Sequence, residues 1–258
     1  MNLAMSAKAV PLFEAVKTFI KNEIDPITAE YFRLGEGRPD RWQYGKGQLE
    51  LLTSVKAKAK KAGLWNFFLP NAETGEGLSN LDYAYIANEL GKNPIASECF
   101  NCSAPDTGNM EVLERVGTPE QKKRWLEPLL AGEIRSAYAM TEPDVASSDA
   151  KNLECRAVKD GDEWLINGEK FYISGAGDPR CKILICMLRT SQDGPPHGRH
   201  SQILVPMDTP GVEILGHMEV FGEDDAPHGH MHLRFTDVRV PASNMLLGEG
   251  RGFEISQV

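Results

Sequence analysis

The amino-acid sequence predicts an α+β protein in which a helical domain is followed by a β domain. In the first part of the 258-residue chain, apolar residues recur at helical spacing, as in the run from Val10 to Ile24. From Ile134 onward, short apolar runs are bounded by glycine-containing turn signals, which is typical of strands. Because the helical patterns precede the strand patterns, we expect two domains of different type, with a boundary near Gly132.

Prolines should limit two of the predicted helices. The first apolar run is expected to end at Asp25-Pro26, because the residue before a proline is disfavoured in the helical region. Another helix is expected to begin at Pro119, where Thr118 and Gln121 form the pattern of a capping box. Pro128 lies inside that helix and should kink it or end it early.

Two glycine pairs in the second part are typical of tight hairpin turns. Asp160-Gly161 and Asn167-Gly168 are both signals for a type I′ turn. The segment 163–166 between them is therefore expected to be one short strand of a meander. Further strands are expected at residues 182–188, 201–206 and 231–235.

The composition is that of a globular protein, with 41% hydrophobic and 25% charged residues. A net charge of −9 argues against nucleic acid or an anionic membrane as the main partner. The longest strongly apolar run, Ile183–Leu188, is too short for stable membrane insertion. The N-terminus lacks a secretory signal pattern, and the odd number of cysteines indicates no disulfide framework, so we expect a protein that is not secreted. Cys99 and Cys102 form a CxxC that is expected to be two ordinary buried thiols.

The segment Tyr138–Pro143 and the small residues that follow it could bind an anion. Thr141 supplies a hydroxyl and an amide at the expected end of a strand, and Glu142-Pro143 turns the chain. Such a turn can direct several backbone N–H groups at one anion. Taken alone, the segment is better explained as a strand followed by an ordinary Asx or Ser turn.

A second segment, Phe171–Ser174, could present a planar ligand with an aromatic ring and a hydroxyl. Residues two apart share one face of a strand, so Tyr172 and Ser174 should lie on the same side. Phe171 and Ile173 would then face the core. An amphipathic strand without any ligand is the more common explanation of this pattern.

Together and in this order, the two segments resemble the middle domain of acyl-CoA dehydrogenases. The shared features are Thr-Glu-Pro with a Ser-Asp turn, followed by Asn-Gly-x-Lys-x-aromatic-Ile-Ser. The resemblance extends to Pro210-Gly211-Val212, to Phe235–Pro241 and to Leu247–Phe253. The residues of both segments are most similar to those of the subgroup that contains acyl-CoA dehydrogenase family members 10 and 11. That subgroup is associated with long-chain or unusual acyl groups.

The resemblance implies a fold and an activity. It implies an N-terminal α-helical bundle domain at residues 1–132 and a flavin-binding middle domain, an antiparallel β-barrel or sandwich, at residues 133–245. Residues 246–258 would begin a C-terminal helical domain whose remainder is absent from this chain. The implied reaction is the FAD-dependent α,β-dehydrogenation of an acyl-CoA thioester, with a proton removed at Cα and a hydride passed from Cβ to flavin N5.

The resemblance also implies roles for individual residues. Met140 and Thr141 would lie against the flavin, with Thr141 at its pyrimidine end. Tyr172 would pack on the isoalloxazine, and Ser174 would bond near N5. Ser148, with Ser147, would lie near the FAD pyrophosphate, although the turn 144–149 is one residue longer than the usual family turn and lacks its glycine. The implied cofactor-binding residues are Tyr138, Met140, Thr141, Ser147, Ser148, Tyr172, Ile173 and Ser174.

No catalytic residue is assigned, because both positions known for the family's catalytic glutamate would follow Val258.

The expected partners are an acyl-CoA substrate, a second or further copies in a homodimer or homotetramer, and an electron-transferring flavoprotein as acceptor. The compartment would be the cytoplasm in a bacterium and the mitochondrion or peroxisome in a eukaryote. Alternatives are a relative of acyl-CoA oxidase or nitroalkane oxidase, or a non-catalytic subunit that binds flavin or acyl-CoA.

Three histidines at alternating positions form one further cluster. His228, His230 and His232 would share one face of a strand, and three histidines can bind zinc. A metal has no evident purpose beside a flavin, so we expect no metal site and interpret the segment as a surface loop that leads into a strand. A place near the CoA channel is the alternative.

Overall fold

A computed structural model of the chain describes residues 3–257, which divide into two compact units between Thr107 and Gly108. The first unit is helical. Its helices are α1 (Ala9–Phe19), α2 (Asp25–Gly35), α3 (Gln48–Lys61), α4 (Asn80–Leu90) and α5 (Ala96–Cys99), and α6 (Asp106–Val116) begins at its end. No helix of the described residues is both long enough and apolar enough to cross a bilayer.

The prediction that Asp25-Pro26 ends the first helix is wrong. A π-helical segment, Ile20–Ile24, joins α1 to α2, and Pro26 lies in the first turn of α2. Proline has no N–H to donate to the preceding turn. The wider π turn accommodates this missing hydrogen bond, so the chain continues as a helix. Pro128 is accommodated in the same way, because the π-helical segment Lys122–Leu126 comes before it.

The second unit begins with most of α6, continues with two short helices and then forms a sheet. The helices are α7 (Pro119–Gln121) and α8 (Glu127–Leu130), and the predicted capping box of Thr118 and Gln121 is confirmed. The Gln121 side-chain amide also donates to the carbonyls of Ser243 and Met245, at 2.8 and 3.2 Å. These bonds tie α7 to the far end of the same unit. The domain boundary at residue 132 stays a prediction.

The α+β fold is confirmed. Within the described residues the strands form one seven-stranded sheet in the order β1-β4-β2-β3-β7-β6, with β5 paired to β4. The sheet is mixed rather than wholly antiparallel as expected, because β1 lies parallel to β4, while the long pairings of β3 with β7 and of β4 with β5 are antiparallel. The strands are β1 (Arg135–Ala139), β2 (Arg156–Asp160), β3 (Glu163–Ser174), β4 (Cys181–Arg189), β5 (His200–Pro206), β6 (Val212–Met218) and β7 (His230–Pro241), and a last helix, α9, spans Gly252–Ile255.

Of the two predicted hairpin turns, only the first is a turn. Gly161 lies between β2 and β3 with a φ of 62°, as a tight turn requires. Asn167-Gly168 lies inside β3, where the register with β7 shifts between Ile166 and Gly168. A Cβ on Gly168 would come within 2.8 Å of Cys155 Sγ, so this glycine allows two backbones to approach closely.

All five cysteines are buried, and none of them forms a disulfide. Burial raises the pKa of both the Cys99 and the Cys102 thiol to about 12. Thiols that stay protonated are poor nucleophiles and poor metal ligands, which agrees with a packing role for this CxxC.

Candidate functional site

The two segments singled out by the sequence are hydrogen-bonded to each other. Thr141 follows the end of β1, and its carbonyl accepts the Phe171 N–H of β3 at 2.9 Å. The Thr141 hydroxyl donates to the Phe171 carbonyl at 2.6 Å. The two segments, 30 residues apart in sequence, therefore lie side by side in the fold, with Met140 and Thr141 beside Phe171 and Tyr172.

A buried ion pair holds this junction together. Lys170 is 0% exposed, and its Nζ donates to Glu142 Oε1 at 2.8 Å and to the carbonyls of Met140 and Met187 at 2.8 and 2.6 Å. The Glu142 carboxylate also accepts the N–H groups of Glu154 and Cys155, at 2.7 and 3.0 Å. Complete hydrogen bonding of both charges offsets their cost of desolvation. The sequence predicted only a place in a turn for Glu142. The pair could have been found from the charges, because one motif contains the acidic Glu142 and the other contains the basic Lys170.

Tyr172 lies in a bulge of β3. The register with β7 shifts between Lys170 and Ile173, and Tyr172 has a φ of 55°. Tyr172 is 42% exposed, whereas Ile173 is 1% exposed. The prediction that Phe171 would face the core is wrong, because the bulge breaks the alternation and leaves Phe171 half-buried. A left-handed conformation is strained for tyrosine, and such strain is concentrated at functional sites.

Each of the three histidines has its own partner. His230 Nδ1 lies 2.8 Å from Ser174 Oγ. His228 Nδ1 lies 3.2 Å from a carboxylate oxygen of Asp178, and His232 Nε2 lies 2.7 Å from Glu169 Oε2. Within residues 3–257, no group of three histidine, cysteine, aspartate or glutamate side chains is arranged to hold a metal ion.

The two serines of the turn differ in their surroundings. Ser147 is buried, and its hydroxyl accepts the Glu142 N–H at 2.6 Å and lies 3.2 Å from the Glu142 carbonyl, to which it donates. Ser148 is exposed, and neither its hydroxyl nor its amide is hydrogen-bonded to any described residue. The Thr141 amide likewise donates to no described residue. Ser147 is thus occupied by the fold, while Ser148 and the Thr141 amide are available to a ligand.

These features fit a flavin nucleotide. Free N–H donors suit a phosphate or a ring carbonyl, an exposed aromatic ring suits stacking, and a half-buried hydroxyl suits a ring nitrogen. Thr141, Tyr172 and Ser174 supply these groups on adjoining segments.

The remaining predicted residues contribute differently. The Met140 side chain packs against the buried cluster of Ala150, Leu153 and Met187. The Tyr138 hydroxyl lies 3.0 Å from Ser256 Oγ, and burial raises its pKa. Ile173 can offer a ligand only its backbone, because its side chain is in the core. The roles of all eight residues toward a cofactor stay predictions.

Comparison with known proteins gives the family. Residues 8–133 match the model for the N-terminal domain of acyl-CoA dehydrogenases, and residues 137–238 match the model for the middle domain of the same family. The chain belongs to the acyl-CoA dehydrogenase family. It is 51% identical to acyl-CoA dehydrogenase family member 11 of Gallus gallus over 98% of this chain, but spans only 32% of that relative.

Two bacterial proteins show a similar relationship over more of their length. The Mycobacterium tuberculosis protein named "Probable acyl-CoA dehydrogenase FadE2" is 48% identical over the whole chain, which spans 62% of it. A solved structure from Mycobacterium abscessus, described as an acyl-CoA dehydrogenase, is 48% identical with a TM-score of 0.91, and the match covers 98% of this chain and 63% of that one. This family member therefore spans less than two thirds of the relatives it matches.

Proposed function

We propose that the protein to which this chain belongs is an FAD-dependent dehydrogenase of acyl-CoA thioesters. Family membership supports an acyl-CoA dehydrogenase in general. The observation that carries the finer proposal is the junction of the two motifs, at which Thr141 is bonded to Phe171 directly before the exposed Tyr172 ring. The bound flavin would supply the hydride acceptor.

The residues of this chain would bind and orient the flavin. Because the Thr141 hydroxyl already donates to Phe171, its free amide is the donor for a carbonyl of the pyrimidine ring. The amide and hydroxyl of Ser148 would hold the pyrophosphate, and Tyr172 would cover the isoalloxazine. Ser174 would stand at the N5 edge, where a hydrogen bond tunes the electron affinity of the ring.

The base that removes the α proton is not Glu142 or Glu254. Glu142 is buried and held by Lys170 and two amides, so its oxygens are unavailable to a substrate. Glu254 is bound to the neighbouring Arg251 side chain, which lowers its pKa and makes it a poor base. We assign the base to a part of the protein outside residues 1–258. An acyl-CoA substrate, an electron-transferring flavoprotein as acceptor and a homodimer or homotetramer belong to the same proposal, as does the expected compartment.

An anaerobic titration of the full-length protein with acyl-CoAs of increasing chain length tests the proposal. We expect loss of the visible flavin absorption with at least one acyl-CoA, followed by slow recovery in air. Rapid recovery in air would indicate an oxidase instead. A flavin that no acyl-CoA reduces, although it is bound, would contradict the dehydrogenase and favour a non-catalytic binding subunit.

A further inference from the structure

Ser174 and His230 form an isolated pair where β3 ends and β7 begins. They are directly opposite in the register of the two strands, and Ser174 Oγ lies 2.8 Å from His230 Nδ1. Both side chains are half-buried, and the His230 ring lies 6.0 Å from the Tyr172 ring between centroids. In the described part of the chain, neither side chain has another hydrogen-bond partner.

The direction of this hydrogen bond decides what Ser174 can offer a ligand. A serine hydroxyl has one proton and two lone pairs, and a neutral imidazole carries its proton on either Nδ1 or Nε2. If His230 carries the proton on Nδ1, it donates to Ser174, whose own proton is free to point outward. If His230 carries the proton on Nε2, Ser174 donates to Nδ1 and presents only a lone pair outward.

We propose that His230 is a positioning residue that sets the direction of the Ser174 hydroxyl toward flavin N5. This inference rests on the proposed flavin site. N5 of an oxidised flavin accepts a hydrogen bond and N5–H of a reduced flavin donates one, so Ser174 must donate in the first state and accept in the second. His230 permits both arrangements through one tautomer exchange, in which one proton leaves Nδ1 for solvent and another is taken from solvent at Nε2.

Loss of His230 should cost the reduced state more than the oxidised state. With reduced flavin, the Ser174 proton needs the Nδ1 acceptor, and a donor left without a partner costs more than an unused lone pair. His230→Phe is therefore expected to shift the flavin reduction potential to a more negative value by about 30 mV, the equivalent of a tenfold change in a two-electron equilibrium.

The experiment measures the reduction potential of the flavin bound to the full-length protein. His230→Asn places an amide atom at the position of Nδ1 and can both donate and accept, so its potential should stay near that of the wild type. The matched control is His232→Phe, which changes the next histidine on the same strand face but leaves Ser174 with its partner. A Ser174→Ala background should remove the effect of His230→Phe, because His230 acts through Ser174.

Equal potentials for the wild type, His230→Phe and His230→Asn proteins would overturn the inference and leave the proposed function intact. The same holds if His230→Phe shifts the potential equally with and without Ser174. If the His230→Phe protein does not fold, His230→Ala takes its place. Its potential must be more negative than that of the wild type, while that of His230→Asn must match the wild type. A wild-type protein that binds no flavin would contradict the proposed function itself.

Discussion

Ser147 and Ser148 are adjacent in sequence but have opposite surroundings. The resemblance placed both near the FAD pyrophosphate. In the structure, the Ser147 hydroxyl is hydrogen-bonded to the backbone of Glu142. Ser148 is exposed, and its hydroxyl and amide have no hydrogen-bond partner among the described residues. A turn that is longer than usual and lacks glycine cannot be assigned residue by residue from a motif, because its hydrogen bonds depend on the folded path.

We expect Ser147→Ala and Ser148→Ala to separate stability from cofactor affinity. Ser147→Ala leaves the Glu142 N–H without a partner in a buried position, so it should reduce the free energy of unfolding by about 1–3 kcal/mol. Ser148→Ala should leave that free energy unchanged and weaken FAD binding about tenfold, through loss of one charge-assisted hydrogen bond. Urea unfolding and equilibrium dialysis measure the two effects. Weakened binding by Ser147→Ala alone would contradict this assignment.

His200 should make stability dependent on pH. It is fully buried, neither ring nitrogen has a partner among the described residues, and desolvation lowers its pKa from 6.5 to about 4. Between these two pKa values the unfolded chain binds a proton that the folded chain does not, so stability falls as pH decreases from 6.5 to 4. The loss should approach about 3 kcal/mol.

The comparison with His200→Met isolates this contribution. Urea unfolding of both proteins at pH 7 and pH 4.5 should show a smaller loss for the variant, because methionine does not titrate. An equal loss in both proteins would show that His200 does not carry the dependence.

At the level of elements, the ion pair of Lys170 and Glu142 connects four parts of the second unit. It joins β3 to the turn after β1, to the segment before β2 and to β4. No local pattern could predict this ion pair, because the two residues are 28 apart in sequence. Taken alone, Glu142 fits a turn and Lys170 fits a strand, so neither residue indicates a partner. The same limit applies to the bulge at Tyr172, which depends on the partner strand.

Removal of either charge should be strongly destabilising. Lys170→Met leaves the Glu142 carboxylate buried without its cation, and we expect a loss of about 3–5 kcal/mol in the free energy of unfolding. Lys170→Met combined with Glu142→Gln should lose less than the sum of the single changes. Arg239→Met, which breaks only exposed ion pairs, is the control and should have little effect. Additive losses in urea unfolding would contradict a coupled pair.

Two glycine substitutions test the reinterpretation of the hairpin signals. Gly168→Ala must place its Cβ 2.8 Å from Cys155 Sγ at a φ of 139°, so strain and overlap together should cost about 2–4 kcal/mol. Gly161→Ala has open space around its Cβ and a φ of 62°, so only backbone strain of about 1 kcal/mol is expected. If thermal or urea unfolding gives equal losses, close approach at Gly168 is not the reason for the glycine.

For the whole molecule, the order of helices and strands followed directly from the sequence. Hydrophobic periodicity and the capping box at Thr118 are local signals, and the structure confirms them. The errors occurred where distant residues decide the outcome. Asn167-Gly168 has the local pattern of a turn, but the chain continues along β3 with a shift in register, and Cys155 lies close against Gly168. Pro26 has the local pattern of a helix end, but a π-helical segment accommodates it.

The FAD content of the purified full-length protein is the most direct test of the central claim, that the joined motifs form a flavin site. We predict one FAD per chain after reconstitution with excess FAD and removal of the unbound cofactor, released on denaturation and quantified by its absorption. Tyr172→Ala should alter the visible spectrum of the bound flavin, because it removes the ring proposed to stack on it. A folded protein that retains no FAD, or a spectrum that Tyr172→Ala leaves unchanged, would contradict the account.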